Sequence, residues 1–291
     1  MRSFFYGWYM KCQSDTQTLA VIPAVHQTGK KRTCSIQVIT ETGAWTVEFP
    51  ADAFCRGGKN ISIGENRFSK RGIRLKVHTP ELTAEGRLVF GALSPIKYDI
   101  MGPFAIVPFM QCRHSVWSMC HLVSGTVWIN GQEYAFPGAW GYWEGDCGHS
   151  FPKEYIWTQC CFPHGSLMLS VADIPMAGIH FTGIIGVVLW KGKEYRMATY
   201  LGARAVRLSN GVLRIVQGEL ELEVTLLEKR GYPLKAPIEG KMTRTIYESA
   251  ACRAFYQFRK EKRTLFAFET QRASFEYEYS GDNIRTEAKA K

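Results

Sequence analysis

The chain has 291 residues, 46% of them hydrophobic and 21% charged, which is ordinary for a soluble globular protein with a sizeable core. No window approaches 18 consecutive apolar residues, and residues 1–11 lack the basic and apolar regions of a secretory signal. These features argue against a membrane span and against secretion, and we expect a cytoplasmic protein.

The formal net charge of +10 favours acidic partners or anionic lipid headgroups, so peripheral contact with a membrane surface is one expectation. The basic run 259–263 is interpreted as a solvated helix face, with membrane contact as the alternative. Nucleic acid is not expected as a partner, because no recognised reader motif accompanies the charge. The nine cysteines are an odd number, and without a secretory signal we expect free thiols.

The first part of the chain follows a period of two residues, which is typical of β-strands. Turn residues such as Thr28-Gly29-Lys30 separate short β-branched or aromatic runs. The segment 93–110 is richer in proline and glycine, and we expect it to connect two halves of the chain or to form a lid. The runs predict strands at 19–25, 34–40, 45–49, 73–77 and 87–90.

A second series of short runs follows, and Asn130-Gly131 between two of them predicts a type I′ hairpin turn. The alanine- and arginine-rich segment 249–262 is predicted to be a helix, and 281–291 a polar tail. The strands of this series are predicted at 123–129, 132–136, 155–161, 167–172, 182–190, 193–199, 205–208, 213–217, 219–227 and 264–279.

About sixteen short strands fit two β-barrels better than one sandwich. The predicted fold is therefore all-β, with two antiparallel β-barrels, few short helices, and domains at 1–112 and 113–280. A weak sequence similarity between the two halves is consistent with a duplicated barrel. Tyr6-Gly7-Trp8-Tyr9 opens the first half, and Gly141-Tyr142-Trp143 is similar to it in the second.

The stretch 141–160 is the most informative for chemistry. In an extended strand, residues two apart share a face, so Tyr142, Glu144 and Asp146 are expected to point the same way. Carboxylates placed together among apolar and aromatic residues would have raised and coupled pKa values, which suits a proton donor. The alternative is that Glu144 and Asp146 lie at a strand end and form ion pairs with some of the 36 Lys and Arg residues.

The cysteines and histidines near this stretch match no common zinc spacing, so no metal site is predicted. His114 is expected to be either a satisfied core histidine or a polar group that reaches into a cavity. Cys160-Cys161 lacks the accompanying histidine and asparagine signature of a catalytic cysteine. The cysteines and histidines weighed for a metal are Cys112, His114, Cys120, His121, Cys147 and His149.

Three stretches, in order, match a set of family motifs. Phe5-Tyr6-Gly7-Trp8-Tyr9-Met10-Lys11 is similar to F-x-G-W-Y-x-K. The segment 102–114 is similar to G-P-F…P-F-M-x-C-x-H, and 141–160 to G-Y-x-E-x-D-W-G-x-S-F-P…W-x-Q. Together these stretches resemble the tocopherol cyclase family, whose relatives include carotenoid hydratases of similar double-lipocalin architecture.

The resemblance implies two lipocalin-like barrels and ring closure on a prenylated quinol or a related isoprenoid. A protonated acid adds a proton to the alkene nearest the ring, and a phenol oxygen captures the tertiary carbocation. Related hydratases would capture a similar cation with water. Neither reaction needs a metal or an organic cofactor, so none is expected.

The same resemblance implies roles for individual residues. Glu144 is the expected acid, and Asp146 the neighbour that tunes its pKa. His114 and Gln159 are expected to orient the substrate phenol or a water. The aromatic faces expected to stabilise the cation belong to Tyr142, Trp143, Trp157, Trp8 and Tyr9.

One departure from the family pattern bears on function. The family usually has tryptophan where this chain has Cys147, which removes one possible cation-stabilising face. This departure supports a second hypothesis, a non-catalytic carrier of apolar lipids. A third hypothesis is a surface-binding protein that uses its positive charge against anionic lipid or nucleic acid.

Overall fold

The computed structural model describes residues 3–108, 110–176, 179–228 and 230–281. Within these ranges the chain is almost entirely β-strand, which confirms the all-β prediction. No helix in the described ranges is long or apolar enough to cross a membrane. The predicted polar tail lies outside the described residues from residue 282 onward. The helical segments are three short 3-10 turns, Ala51–Ala53, Gly102–Ile106 and Thr199–Leu201.

The first sheet has eleven antiparallel strands, in the order β4-β3-β2-β1-β11-β10-β9-β8-β7-β6-β5. Most neighbours in the sheet are also neighbours in sequence, as expected for hairpin connections. The exception is the pairing of β1 with β11, which brings the two ends of this series together. The strands are β1 (Phe4–Gln13), β2 (Thr18–Thr28), β3 (Lys31–Thr40), β4 (Ala44–Pro50), β5 (Phe54–Arg56), β6 (Asn60–Ile63), β7 (Asn66–Ser69), β8 (Gly72–His78), β9 (Thr83–Phe90), β10 (Cys112–Ile129) and β11 (Gln132–Gly148).

The second sheet has ten antiparallel strands, in the order β15-β14-β13-β12-β21-β20-β18-β17-β16, with β19 paired to β20. The two large antiparallel sheets, one of them a nearly closed barrel, agree with the predicted all-β fold. The strands are β12 (Tyr155–Phe162), β13 (Gly165–Met176), β14 (Ile179–Trp190), β15 (Lys193–Ala198), β16 (Arg204–Ser209), β17 (Val212–Gln217), β18 (Leu220–Leu226), β19 (Tyr232–Ile238), β20 (Lys241–Lys260) and β21 (Arg263–Glu278).

The predicted type I′ turn at Asn130-Gly131 is confirmed. Both residues have positive φ angles, 50° and 81°, and the turn joins β10 to β11 where Ile129 faces Gln132. This backbone geometry matches the right-handed twist of the flanking strands, and it requires residues that tolerate the left-handed region. The turn therefore fixes the register of the longest hairpin in the first sheet.

Each sheet surrounds its own cluster of buried apolar side chains. In the first, Trp8, Met10 and Cys12 alternate along β1 into the core, as a period of two requires. The intervening residues of β1 are also buried, including Tyr9 and Lys11. The strand is thus covered on both faces, and one of these buried faces carries polar side chains.

Contacts divide the chain into two units. The first comprises residues 1–99, 107–151 and 232–246, and the second comprises 100–106, 152–231 and 247–291. This division differs from the boundary predicted at residue 112, because β10 and β11 complete the first sheet. The proline- and glycine-rich segment 93–110 joins β9 to β10 within that sheet.

The predicted helix at 249–262 is wrong. These residues belong mainly to β20, which pairs with β18 and β21. Alanine propensity favours a helix, but Cys252, Ala254, Tyr256 and Phe258 are buried at every second position. That spacing serves one face of a strand, and tertiary pairing overrides the weak local preference.

Candidate active site

The candidate site lies on three neighbouring strands of the first unit, β1, β11 and β10. Glu144 and Asp146 lie two residues apart on β11 and therefore share a face. His114 on β10 is directly opposite Asp146, and Tyr9 on β1 is directly opposite Glu144. Antiparallel pairing thus collects on one face side chains that are far apart in sequence.

His114 bridges the two carboxylates. Its Nδ1 lies 2.8 Å from Oδ1 of Asp146, and its Nε2 lies 3.0 Å from Oε2 of Glu144. An imidazolium donates from both ring nitrogens, whereas a neutral imidazole donates from only one. The geometry therefore fits a protonated His114 held between two acids.

Tyr142 completes the arrangement at Glu144. Its hydroxyl donates a short hydrogen bond to Oε2, the same oxygen that faces His114. In the part of the chain that the structure describes, Oε1 of Glu144 accepts no hydrogen bond. The carboxyl group thus has one oxygen that accepts from Tyr142 and lies 3.0 Å from His114 Nε2, and a second oxygen available for a proton.

Burial determines the electrostatics of the site. Glu144 is 4% exposed and His114 is 8% exposed. Burial raises the pKa of Glu144 because it disfavours the carboxylate, and Asp146 adds to this, whereas His114 and Tyr142 oppose it. Burial alone would lower the pKa of His114, but the charges of Glu144 and Asp146 together hold it well above its ordinary value.

Cys112 adds a further hydrogen bond to Asp146. Its Sγ lies 3.5 Å from Oδ1 of Asp146, so the thiol donates to the carboxylate. Burial and the charge of Asp146 raise the pKa of this thiol well above its ordinary range. Cys112 is therefore held as a thiol, and it is not arranged as a nucleophile.

The donor atoms of His114, Glu144 and Asp146 lie within 4.8 Å of one another, which is close enough to consider a metal ion. A metal would need a deprotonated ring nitrogen. Here both nitrogens of His114 face carboxylate oxygens at hydrogen-bonding distance, and its raised pKa favours the protonated ring. The arrangement fits a hydrogen-bonded acid network better than a metal site.

Two of the tryptophans named from the sequence, Trp8 and Trp143, lie on the other face of the first sheet. Trp8 and Trp143 belong to the core of the first unit, where their rings lie 5.0 Å apart, and Trp117 packs against both. The structure therefore does not bring them to the face of Glu144. Tyr9 and Tyr142 are among the aromatic residues that share this face by register, together with Trp140.

Cys147 follows Asp146 on β11, so its side chain points to the opposite face. The family's tryptophan at this position would therefore also point away from Glu144, and its replacement by cysteine removes no aromatic ring from the face that carries the acids. Tyr6 is the cross-strand partner of Cys147, and the Arg56 guanidinium lies 3.8 Å from the Tyr6 ring centroid.

Trp157 and Gln159 lie on β12 in the second unit. Gln159 is fully buried, and its Nε2 donates to Sγ of Cys161 at 3.3 Å. Trp157 is also buried. Their expected contact with substrate stays a prediction.

Sequence reasoning assigned no role to Lys11, although it belongs to the first motif. Lys11 is 1% exposed and lies directly opposite Tyr142. A buried lysine whose backbone position faces Tyr142 belongs to the same polar face. Its spacing of two from Tyr9 places it on that face, but only the pairing of β1 with β11 reveals its neighbour.

Gly145 stands between the two carboxylates because there is no room for a side chain. A Cβ at this position would lie 2.4 Å from Cη2 of Trp117 and 2.8 Å from the carbonyl oxygen of Gly7. The glycine allows the Trp117 ring to pack directly on β11. The sequence Glu-Gly-Asp therefore combines two acids on one face with close aromatic packing on the other.

No family model matches the chain, and no curated protein matches its sequence. Solved structures do match its fold. A crystal structure of CghA with Sch210972 is 9% identical, with a TM-score of 0.61 over 97% of this chain and 90% of that chain. Kievitone hydratase from Nectria haematococca is 9% identical, with a TM-score of 0.56 over 96% of this chain and 89% of that chain.

A candidate AttH protein from Nitrosomonas europaea is 10% identical, with a TM-score of 0.55 over 96% of this chain and 93% of that chain. The match extends over nearly the full length of each structure. At such low identity the likeness establishes the architecture alone. The chain therefore has the lipocalin-like fold that these structures share.

Proposed function

We propose that the protein is an acid catalyst of the tocopherol cyclase type, which protonates an isoprenoid alkene and closes a ring on a prenylated quinol. The observation that carries the proposal is the state of Glu144. It is a buried carboxyl group with a raised pKa, whose Oε2 accepts from Tyr142 and lies 3.0 Å from His114 Nε2, and whose Oε1 accepts no hydrogen bond among the described residues. This is the arrangement that a neutral proton donor needs.

In the first step, Glu144 transfers the proton from Oε1 to the less substituted alkene carbon. The new C–H bond takes the alkene electron pair, and a tertiary carbocation forms at the neighbouring carbon. The carboxylate that remains carries its negative charge beside the protonated His114, 3.0 Å away, and accepts the hydrogen bond of the Tyr142 hydroxyl. These donors stabilise the product side of the proton transfer more than the starting acid.

In the second step, the phenol oxygen attacks the carbocation and loses its proton, which returns to Glu144. The product is an isomer of the substrate, so no oxidant, reductant or co-reactant is consumed. Tyr9 and Tyr142 share the face of the acid and are aromatic residues that could stabilise the cation. Asp146 balances the charge of His114 at 2.8 Å.

A hydratase is the second candidate, in which water captures the same carbocation. One structure with this fold is named a hydratase, and the acid step would be identical. The two reactions differ in the mass of the product. A non-catalytic lipid carrier is the third candidate, and it would bind a prenylated quinol without changing it.

The test is incubation of the purified protein with a prenylated quinol, followed by mass analysis of the product. Cyclisation gives unchanged mass and altered retention, whereas hydration adds one water. We expect Glu144→Gln to lower turnover by at least about 100-fold, because the general acid is lost. Glu133→Gln changes an exposed carboxylate on the same strand and should retain turnover.

A wild-type protein that binds the quinol and returns it unchanged would identify a carrier and overturn the catalytic proposal. If Glu144→Gln instead turned over at the wild-type rate, the proposed reaction would still hold, but Glu144 would not be its general acid. Equal binding of quinol to both proteins is the control that the variant retains its fold.

A further inference from the structure

The outward face of β7, β8 and β9 carries a row of arginines. Arg67 lies directly opposite Arg74, and Arg74 lies directly opposite Arg87. Adjacent strands are about 4.8 Å apart, so the three backbone positions span only about 10 Å. Two more exposed cations, Lys70 and Arg71, lie in the turn between β7 and β8.

This row is unfavourable for the stability of the sheet. Like charges directly opposite each other on neighbouring strands destabilise the pairing. Arg74 and Arg87 form no ion pair or hydrogen bond through their side chains within the described residues. Arg67 donates to the carbonyl oxygens of Gly64 and Asn66, which do not neutralise it.

The carboxylates on the same face are already engaged. Glu65 lies 2.8 Å from Nζ of Lys76, and Glu85 lies 3.6 Å from Nε2 of His78. They flank the arginine row instead of lying within it, since Lys76 and Glu85 occupy the next register position. Glu65 also interacts electrostatically with Arg67 and Arg74, so the row is partly compensated and still presents net positive charge to solvent.

Exposed apolar side chains lie beside the row. Val89 follows Arg87 by two residues on β9 and is 46% exposed. On β10, Leu122 is 59% exposed and Trp128 is 49% exposed. Their neighbours in sequence, Val123 and Val127, belong to the core, so the exposed residues point outward with the arginines.

We propose that this basic face, formed by the outward side chains of β7 to β10, docks on a membrane surface that contains anionic phospholipid. Guanidinium groups bind phosphate and carboxylate oxygens of the headgroups, and the apolar side chains enter the boundary of the acyl region. Tryptophan is enriched at such interfaces. Polyanions such as nucleic acid would satisfy the arginines but leave the exposed Val89 and Leu122 without a partner.

The test is cosedimentation of the purified protein with vesicles of phosphatidylcholine alone or mixed with phosphatidylserine. We expect binding only to the mixed vesicles, with affinity that falls as ionic strength rises. Arg74→Gln with Arg87→Gln should weaken partition about 30-fold, because each arginine near the membrane surface strengthens partition about fivefold. Leu122→Gln should weaken partition onto the mixed vesicles further, and the part of the loss that it causes should depend less on ionic strength.

The matched control is Arg207→Gln with Arg230→Gln, which removes the same charge from exposed positions in the second unit. This variant should bind vesicles nearly as the wild type does. Failure of the wild type to bind mixed vesicles, or equal loss in both double variants, would overturn the proposal. So would tight binding of an RNA or DNA oligonucleotide that depends on Arg74 and Arg87 in a protein that ignores vesicles.

Discussion

At the scale of single residues, the two oxygens of Glu144 have different surroundings. Oε2 lies 3.0 Å from Nε2 of His114 and also accepts from Tyr142, whereas Oε1 accepts nothing from the described residues. A proton on Oε1 leaves both donors undisturbed. The carboxyl group can therefore lose and regain its proton without a change in its hydrogen-bonded partners, which keeps the site preorganised.

The role of His114 gives the first prediction. His114 lowers the pKa of Glu144 against the larger effect of burial. We expect His114→Gln to raise that pKa further, so the alkaline limb of the rate profile should move to higher pH. The rate should fall about 10- to 100-fold, because a hydrogen bond from a charged donor no longer stabilises the carboxylate.

The pH dependence of turnover with a prenylated quinol measures this effect. A structural role for His114 alone would lower the amount of folded protein without moving the limb. A limb that moves to lower pH would contradict the assignment of His114 as a cation beside the acid.

At the scale of elements, β11 positions the acids, and Gly145 lets Trp117 pack on it. We expect Gly145→Ala to cost about 1–3 kcal/mol of unfolding free energy, because the new Cβ would lie 2.4 Å from the Trp117 ring. Gly57→Ala is the matched control, since nothing lies within 4 Å of its Cβ position. Urea unfolding of both variants checks the prediction, and equal stability of the two would contradict the packing argument.

Alternation along one strand was enough to predict that Tyr142, Glu144 and Asp146 share a face. It could not show which other strand would supply their neighbours. The similarity between Tyr6-Gly7-Trp8-Tyr9 and Gly141-Tyr142-Trp143 suggests a repeat, but the two segments lie on paired strands, with residues 6–9 opposite 144–147. That long-range pairing brings Lys11 opposite Tyr142 and places Trp8 and Trp143 together in the core.

The error at 249–262 has a physical cause at the same scale. Short alanine-rich segments have a weak intrinsic preference for helix, which amounts to tenths of a kcal/mol per residue. Pairing with β18 and β21 buries Tyr256 and Phe258 completely, and that burial outweighs the preference. The period of two at positions 252–258 was the signal that favoured a strand.

At the scale of the whole molecule, the strand runs and turn residues predicted an all-β fold with two antiparallel halves correctly, because each sheet is built largely from neighbours in sequence. The division into two units could not be read in the same way. Residues 232–246 belong to the first unit although they follow most of the second sheet. Local sequence patterns do not show when a later segment of the chain packs with an earlier unit.

The buried acid network should also affect global stability. The folded-state pKa of Glu144 is raised from 4.5 and that of His114 from 6.5, so the native state retains protons that the unfolded chain has released. The stabilisation from His114 is fully present below about pH 6.5 and is lost as pH rises through its folded pKa. Each extra bound proton contributes a slope of about 1.4 kcal/mol per pH unit.

We therefore expect the unfolding free energy of the wild type to fall as pH rises through neutrality. The double variant Glu144→Gln with His114→Gln should show a flatter profile in urea unfolding at a series of pH values. Identical slopes for the two proteins would contradict the raised pKa values.

The most direct measurement of the central claim is turnover of a prenylated quinol in deuterium oxide. If Glu144 protonates the alkene, its exchangeable proton becomes deuterium, and the product should carry one deuterium on the carbon that receives it. Glu144→Gln should form no deuterated product above the uncatalysed background, while Glu133→Gln should match the wild type. A cyclised product without deuterium at that carbon, or equal labelling by Glu144→Gln, would contradict Glu144 as the proton donor.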